Sequence, residues 1–103
     1  TMAKANIMLQ ARRMQSQIQQ LQEELSEQKF EGGAGGGLVK VTADGRQKVR
    51  KIDISPDAID PEDLGELADL VTAAVNMAIQ ASLSHSKAEM KKITGGLALP
   101  GML

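Results

Sequence analysis

The sequence predicts an α+β fold made of one long helix, two or three antiparallel strands and a second long helix. Apolar residues recur at steps of four and three over residues 7–25, and they alternate with polar ones over residues 38–43. A second helical pattern follows a Pro-containing start at residues 60–61. Because aromatic residues make up only 1% of the 103 residues, we expect a single domain over residues 2–95 whose core is completed by a second subunit.

The first helix is predicted over residues 4–28, a run without Gly or Pro. Its apolar positions keep the spacing of a heptad seam, which packs against another helix while the Gln-rich surface stays in water. The seam consists of Ile7, Ala11, Met14, Ile18, Leu21 and Leu25.

A glycine-rich break at residues 32–37 ends any helical run and predicts a wide loop or linker. Residues 29–31 before it are compatible with a short strand. After it, residues 38–43 alternate, which places Val39, Val41 and Ala43 on one face of a strand.

Asp44-Gly45 predicts a two-residue hairpin turn, and the returning strand is expected over residues 46–54. Ile52 and Ile54 share one face of that strand, whereas Val49 falls on the other. A bulge near Arg50 or Lys51 would bring Val49 back to the core side.

The second helix is predicted over residues 61–94, with Asp60 as its cap and Pro61 in the first turn. Gly95-Gly96 ends it, and residues 96–103 are expected to be a loose tail. Its apolar positions form two adjacent stripes, and the small residues among them allow a neighbour to approach closely.

Charge is sorted into blocks, although the net charge is only −1. Residues 1–22 carry three basic residues and no acid, whereas residues 57–69 carry six acids and no base. Taken whole, this balance argues against a nucleic-acid partner, because such domains are usually basic. A hairpin-like return of the chain would place both acidic blocks near the sheet and both basic helix ends far from it.

Composition excludes most catalytic and metal chemistry. There is no Cys, and His85 has no second His to complete a ligand set, so we expect an exposed helix residue there and neither a metal nor a cofactor site. Ser82, Ser84 and Ser86 near it suggest no oxyanion donor, so we expect no enzyme and no small-molecule substrate. No stretch approaches the roughly 20 apolar residues of a membrane span, and a cytoplasmic location is expected.

Four short segments in order resemble the YbaB/EbfC family of bacterial nucleoid-associated proteins. They are MLQARRMQ at 8–15, GLVKVT at 37–42, LADLVTAAVN at 67–76 and LPG at 99–101. The resemblance implies a tweezer-like homodimer with a central sheet and projecting helices, located at the nucleoid, that binds double-stranded DNA. Leu9 stands where the family often has Lys, which weakens a charge contact, and Val75 stands where it often has Phe, which trims the core.

Two basic clusters are candidates for contacts to phosphates, which Lys and Arg neutralise without reading bases. The first comprises Lys4, Arg12, Arg13, Lys87, Lys91 and Lys92 at the helix ends. The second, rated lower because strand charge also discourages edge-to-edge aggregation, comprises Lys40, Lys48, Arg50 and Lys51. For the first cluster the alternative is a solvated face with cations complementing the helix dipole.

Two functions are therefore open. One is a non-enzymatic dimer that coats, bridges or compacts DNA with little sequence preference, favoured by the sorted charge and the resemblance. The other is a coiled-coil adaptor that binds another protein through its helices, favoured by the acidic pI of about 5.8 and the Gln-rich first helix.

Overall fold

A computed structural model of the chain describes residues 1–95, and it confirms the helix, strands, helix order with three strands. The elements are α1 (Met2–Glu27), β1 (Lys29–Ala34), β2 (Val39–Asp44), β3 (Val49–Ile54), a short 3-10 turn (Pro56–Ala58) and α2 (Leu64–Thr94). The expected loose tail, residues 96–103, lies outside the described residues.

The three strands form one antiparallel sheet in the order β1-β2-β3. In the central strand Val39, Val41 and Ala43 are fully buried, as their alternation predicted. The other face of β2 carries Lys40 and Thr42 and looks away from the core. The sheet is therefore apolar on the side that α2 covers and polar on the other.

The predicted bulge is confirmed in β3. Thr42 pairs with Lys51 and Ala43 pairs with Val49, which leaves Arg50 as the extra residue. The bulge shifts the phase of the strand, so Val49 joins Ile52 and Ile54 on the face of the buried β2 residues.

The two-residue turn predicted at Asp44-Gly45 is wrong, because the β2–β3 connection is longer. The Asp44 N–H donates to the carbonyl of Lys48 at 2.8 Å, which leaves three residues in the loop, and β3 begins only at Val49. The left-handed residue is Gln47, with φ 62°, and not Gly45. Gly45 instead allows close packing: a Cβ there would lie 2.6 Å from the carbonyl oxygen of Leu25 in α1.

The predicted start of α2 also needs correction, from residue 61 to Leu64. Its cap is Asp63, whose carboxylate accepts the N–H of Glu66 at 3.2 Å, and not Asp60. Asp60 uses the same chemistry in the preceding turn, where its carboxylate accepts the N–H of Glu62 at 2.9 Å. At the other end, the predicted stop is confirmed by Gly95, which has φ 65° and caps the helix.

Helix α2 lies across β1 and β2. Ala74 and Ala78 are fully buried, and Gly32 of β1 lets the backbones meet, because a Cβ on it would lie 2.6 Å from the Ala78 nitrogen.

By length and composition α2 is apolar enough to cross a membrane, contrary to the expectation that no stretch approaches a span. In the described part of the chain, 17% of that apolar stretch is buried, where the helix packs on the sheet.

The second helical contact is between the C-terminal half of α1 and the end of α2. Ile18, Leu21 and Leu25 of the predicted seam are buried with Met90, and Met14 and Ile93 pack at the edge. The N-terminal part of the seam has no such partner among residues 1–95, since Ile7 is 65% exposed. The acidic block at residues 57–69 lies towards the Gly35 end of the sheet, where a Cβ on Gly35 would lie 3.2 Å from the side chain of Leu70. Helix α1 joins the sheet at its other end, through the bond from Gly45 to Leu25.

Candidate functional site

The first part of α1, residues 2–13, forms an exposed basic arm that continues past the region packed on α2. It carries Lys4, Arg12 and Arg13 and no acidic residue. Within residues 1–95 none of these three side chains forms an ion pair. Their charges are therefore available to an external anion.

The arm turns its arginines away from α2. Successive residues of an α-helix are rotated by about 100°, so Arg12 and Arg13 fall on the side opposite Ile18 and Leu25, which face α2. Leu9, 47% exposed, lies between them one turn earlier. The cationic side of the arm is open to solvent along its length.

At the end of α2 the three predicted lysines lie on two sides of the helix. Lys87 and Lys91 are four residues apart and share one exposed face, without ion pairs in the described part of the chain. Lys92 is on another side, where its Nζ lies 3.0 Å from the Glu89 carboxylate. Lys92 also lines a shallow groove of about 230 Å³ with Gln17 and Gln20 of α1.

The structure does not bring the six predicted residues to one tip. Since Lys92 lies beside Gln17 and Gln20, α2 ends level with the middle of α1. At 1.5 Å per residue, Arg12 is about 8 Å further along α1 than Gln17, and Lys4 is about 12 Å beyond Arg12. The six cations are instead spread over roughly 27 Å along the two helices and lie on different sides of them.

The four residues of the strand cluster have different surroundings. Arg50 is engaged with the carboxylate of Asp44, and Lys51 lies 3.5 Å from Asp53 on the outer face of the sheet. Lys40 is exposed on that same face and stands opposite Asp53 in the register. Lys48 is not in a strand but in the β2–β3 turn, where it is exposed.

Asp44 organises this turn. Its side chain, 2% exposed, accepts the N–H groups of Arg46 at 2.8 Å and Lys48 at 3.2 Å, and the guanidinium of Arg50 at 2.8 Å. Burial raises the pKa of the Asp44 carboxyl, but these hydrogen bonds and the Arg50 charge outweigh burial and hold it below its ordinary value. The carboxylate is therefore ionised and structural.

Arg46 is a cation that belongs to neither predicted cluster. It lies at the tip of the β2–β3 turn, exposed and without an ion pair in the described residues. Arg46 follows the Asp44-Gly45 pair, which indicates only a hairpin. The sequence did not show where its side chain lies, because the length of the turn was predicted wrongly.

His85 is not the exposed residue that was expected. It is half-buried, its ring centroid lies 5.2 Å from that of Phe30, and its Nε2 has no hydrogen-bond partner among residues 1–95. The sequence offered no sign that β1 brings Phe30 beneath this turn of α2. In residues 1–95 no group of three His, Cys or acidic residues is arranged to hold a metal ion.

Comparison with known proteins places this geometry in context. The family model described as the YbaB/EbfC DNA-binding family matches residues 2–97. A nucleoid-associated protein of Clostridium novyi is 47% identical over 97 residues, which cover 94% of this chain and 85% of that protein. One from Moorella thermoacetica is 54% identical over 86 residues, 84% of this chain and 83% of that protein.

A solved structure shares the fold. The crystal structure of an uncharacterized protein from Helicobacter pylori superposes with a TM-score of 0.76, covering 92% of this chain and 98% of that one. The two sequences are 20% identical, so the likeness bears on the fold alone.

Proposed function

The chain belongs to the YbaB/EbfC DNA-binding family, and from this premise we propose that it is a non-enzymatic nucleoid-associated protein. In this proposal it coats, bridges or compacts double-stranded DNA as a homodimer, with little sequence preference, at the nucleoid in the bacterial cytoplasm. The observation that carries the proposal is the exposed basic arm of α1, which holds three unpaired cations and no acid.

The chemistry of the arm favours phosphate contacts. Arg and Lys neutralise backbone phosphates and release counterions whatever the base sequence. Lys4, Arg12 and Arg13 on α1, with Lys87, Lys91 and Lys92 on α2, are the proposed contacts. Lys92 contributes least, because Glu89 already neutralises it.

Three members of the strand cluster, Lys40, Arg50 and Lys51, are weaker candidates. The charge of Arg50 is directed to Asp44, and Lys51 has Asp53 beside it. Lys40 shares the outer face with Asp53. An exposed pair such as Lys51 with Asp53 contributes little to stability, but the acid lowers the positive potential that a phosphate would meet.

A second copy of the chain is the proposed cover for β3. Val49, Ile52 and Ile54 face the side of the sheet that α2 covers, yet each is more than 40% exposed because α2 lies over β1 and β2 and hardly touches β3. Val71, Val75 and Ile79 on α2 border the same open side and are only half-buried. A symmetric dimer would bury this apolar surface twice, and its two arms would project as the jaws of tweezers.

Titration of a DNA shift with salt tests the function. We expect the purified full chain to bind unrelated duplexes with similar affinity, and log affinity to fall linearly with log salt. Failure to bind any duplex at physiological salt would contradict the proposal. Equal or tighter binding of single-stranded RNA would contradict double-stranded DNA as the partner.

The adaptor function is the alternative, and one observation favours it. The distal seam of α1 is exposed at Ile7 and Ala11, which leaves a helical edge that another protein's helix could cover. Replacing Ile7 with Gln separates the two functions. If I7Q binds DNA like the parent but no longer binds a helical protein that the parent binds, the adaptor function is supported.

A further inference from the structure

The β2–β3 turn is held more firmly than a surface hairpin requires. Its N–H at Gly45 donates to the Leu25 carbonyl at the end of α1, at 2.8 Å, and its Asp44 carbonyl accepts the hydroxyl of Ser82 in α2 at 2.6 Å. Arg50 of β3 bonds the Asp44 carboxylate. Three separate elements therefore fix the position of one short loop.

Gln47 is the most unusual residue of the turn. Its φ of 62° lies in the left-handed region, which is uncommon for a residue with a side chain other than Asn or Asp. The side-chain amide nitrogen donates to the Gly45 carbonyl at 2.9 Å and to Ser82 Oγ at 3.0 Å, with Ser86 Oγ at 3.3 Å. These bonds attach the turn to two successive turns of α2 and offset the unfavourable backbone conformation.

The anchored turn presents two free cations. Arg46 and Lys48 flank Gln47, are both exposed, and make no ion pair within residues 1–95. Because the Gln47 side chain reaches Ser82 and Ser86, the turn sits against the part of α2 that leads directly to Lys87. Lys91 follows one turn later on the same face.

We propose that the β2–β3 turn is a preorganised phosphate-binding site in which Arg46 and Lys48 contact the DNA backbone, with Gln47 as a positioning residue. This inference rests on the proposed function and extends its surface from the helices to the turn. The site consists of Arg46 and Lys48 at the turn, whereas Lys87, which follows Ser86 in α2, lies about 100° round the helix from the side that the turn contacts.

The contacts around Gln47 explain why preorganisation matters. A flexible hairpin would have to lose conformational entropy on binding, whereas a turn already fixed on α1, α2 and β3 does not. Removing the Gln47 side chain should therefore weaken DNA binding although no charge is lost.

Two variants of the full chain test the site on a duplex of arbitrary sequence, by fluorescence anisotropy over a range of salt. R46A with K48A should lower affinity and flatten the salt dependence by about one unit for each lost contact. K40A with K51A is the matched control, since it removes the same charge from the outer face of the sheet, and it should change the slope less. Thermal melting of each variant checks that the fold is intact.

The second variant is Q47G, which keeps every charge and permits the left-handed backbone. We expect weaker binding and a shallower salt slope, with the helix content and dimer state of the parent. Q47G that binds like the parent overturns the positioning role, and an unchanged R46A/K48A variant overturns the site. If the parent protein itself binds no DNA, the proposed function fails and this inference fails with it.

Discussion

Arg50, the extra residue of the bulge in β3, places its guanidinium against the buried carboxylate of Asp44, with both Nε and Nη2 2.8 Å from Oδ2. The bulge thus changes the phase of the strand and also aims a long side chain back at the turn. Since the same carboxylate accepts two backbone N–H groups, one ionised oxygen pair holds the hairpin together.

Replacing Asp44 with Asn should destabilise the protein by about 1–3 kcal/mol, because the negative charge and the oxygen that accepts from Arg50 are lost. Chemical denaturation measures this change. The amide oxygen of Asn can still accept the two backbone N–H groups, so the loss should come from the missing charge and from the Arg50 contact, where an amide N–H would face the guanidinium. Because the side chain of Arg50 is 56% exposed, solvent takes over part of that contact. An unchanged midpoint would show that the turn does not depend on the carboxylate.

Low pH should destabilise the protein through the same Asp44 carboxylate. The folded pKa of Asp44 is lowered, so its stabilisation is complete above the unfolded value of about 3.9 and is lost as pH falls through the lower folded value. We therefore expect part of the acid limb of stability against pH to disappear in D44N. A parallel acid limb in both proteins would contradict the assignment.

Removing the arm arginines should weaken DNA binding without harming the fold. R12A with R13A should flatten the plot of log affinity against log salt by about one unit per lost contact in each subunit that touches DNA. The loss should be similar on unrelated duplexes. The control is K40A with K51A, and the outcome that reverses the assignment is loss of binding in that control while R12A/R13A binds normally.

Dimerisation should depend on the exposed face of β3. A charge at Ile52, as in I52D, should convert the protein to a monomer or to an unfolded chain, because the variant would bury an unpaired carboxylate at the interface. Light scattering with circular dichroism distinguishes the two results. A parent protein that is a stable folded monomer at low micromolar concentration would contradict the dimer.

His85 should matter for stability and not for DNA. H85A loses the ring contact with Phe30 and removes a buried nitrogen that lacks a partner, so we expect a net cost of no more than about 1.5 kcal/mol. DNA affinity should stay within error of the parent. A folded H85A protein that no longer shifts DNA would place this residue at the interface.

The sequence predicted correctly the features that follow from the spacing of apolar residues along a strand. The alternation of Val39, Val41 and Ala43 marked the buried face, and the phase of Val49 against Ile52 marked the bulge. The turn was mispredicted because Gly45 is small for a nonlocal reason, its approach to Leu25 in α1, while Asp-Gly is a local hairpin signal.

The start of α2 and the positions of the basic residues also depend on tertiary structure. Asp60 and Asp63 could both cap the helix by their side-chain chemistry, and the path of the folded chain makes Asp63 the cap. Sorted charge identified basic helix ends, but it could not show that Glu89 neutralises Lys92 or that α2 ends beside the middle of α1. Those facts depend on side-chain direction and helix register, which one sequence leaves open.

The α1 arm behaves mechanically as a cantilever. It is clamped over the stretch that contains Ile18, Leu21 and Leu25, and about 12 residues, or roughly 18 Å, extend freely beyond Met14. The free stretch has no Gly or Pro at which it could hinge. A sideways pull on Arg12 would therefore not be absorbed by bending of the arm. It would instead act as a torque on the packed part of α1. The hydrogen bond from Gly45 to Leu25 would pass that torque to the β2–β3 turn.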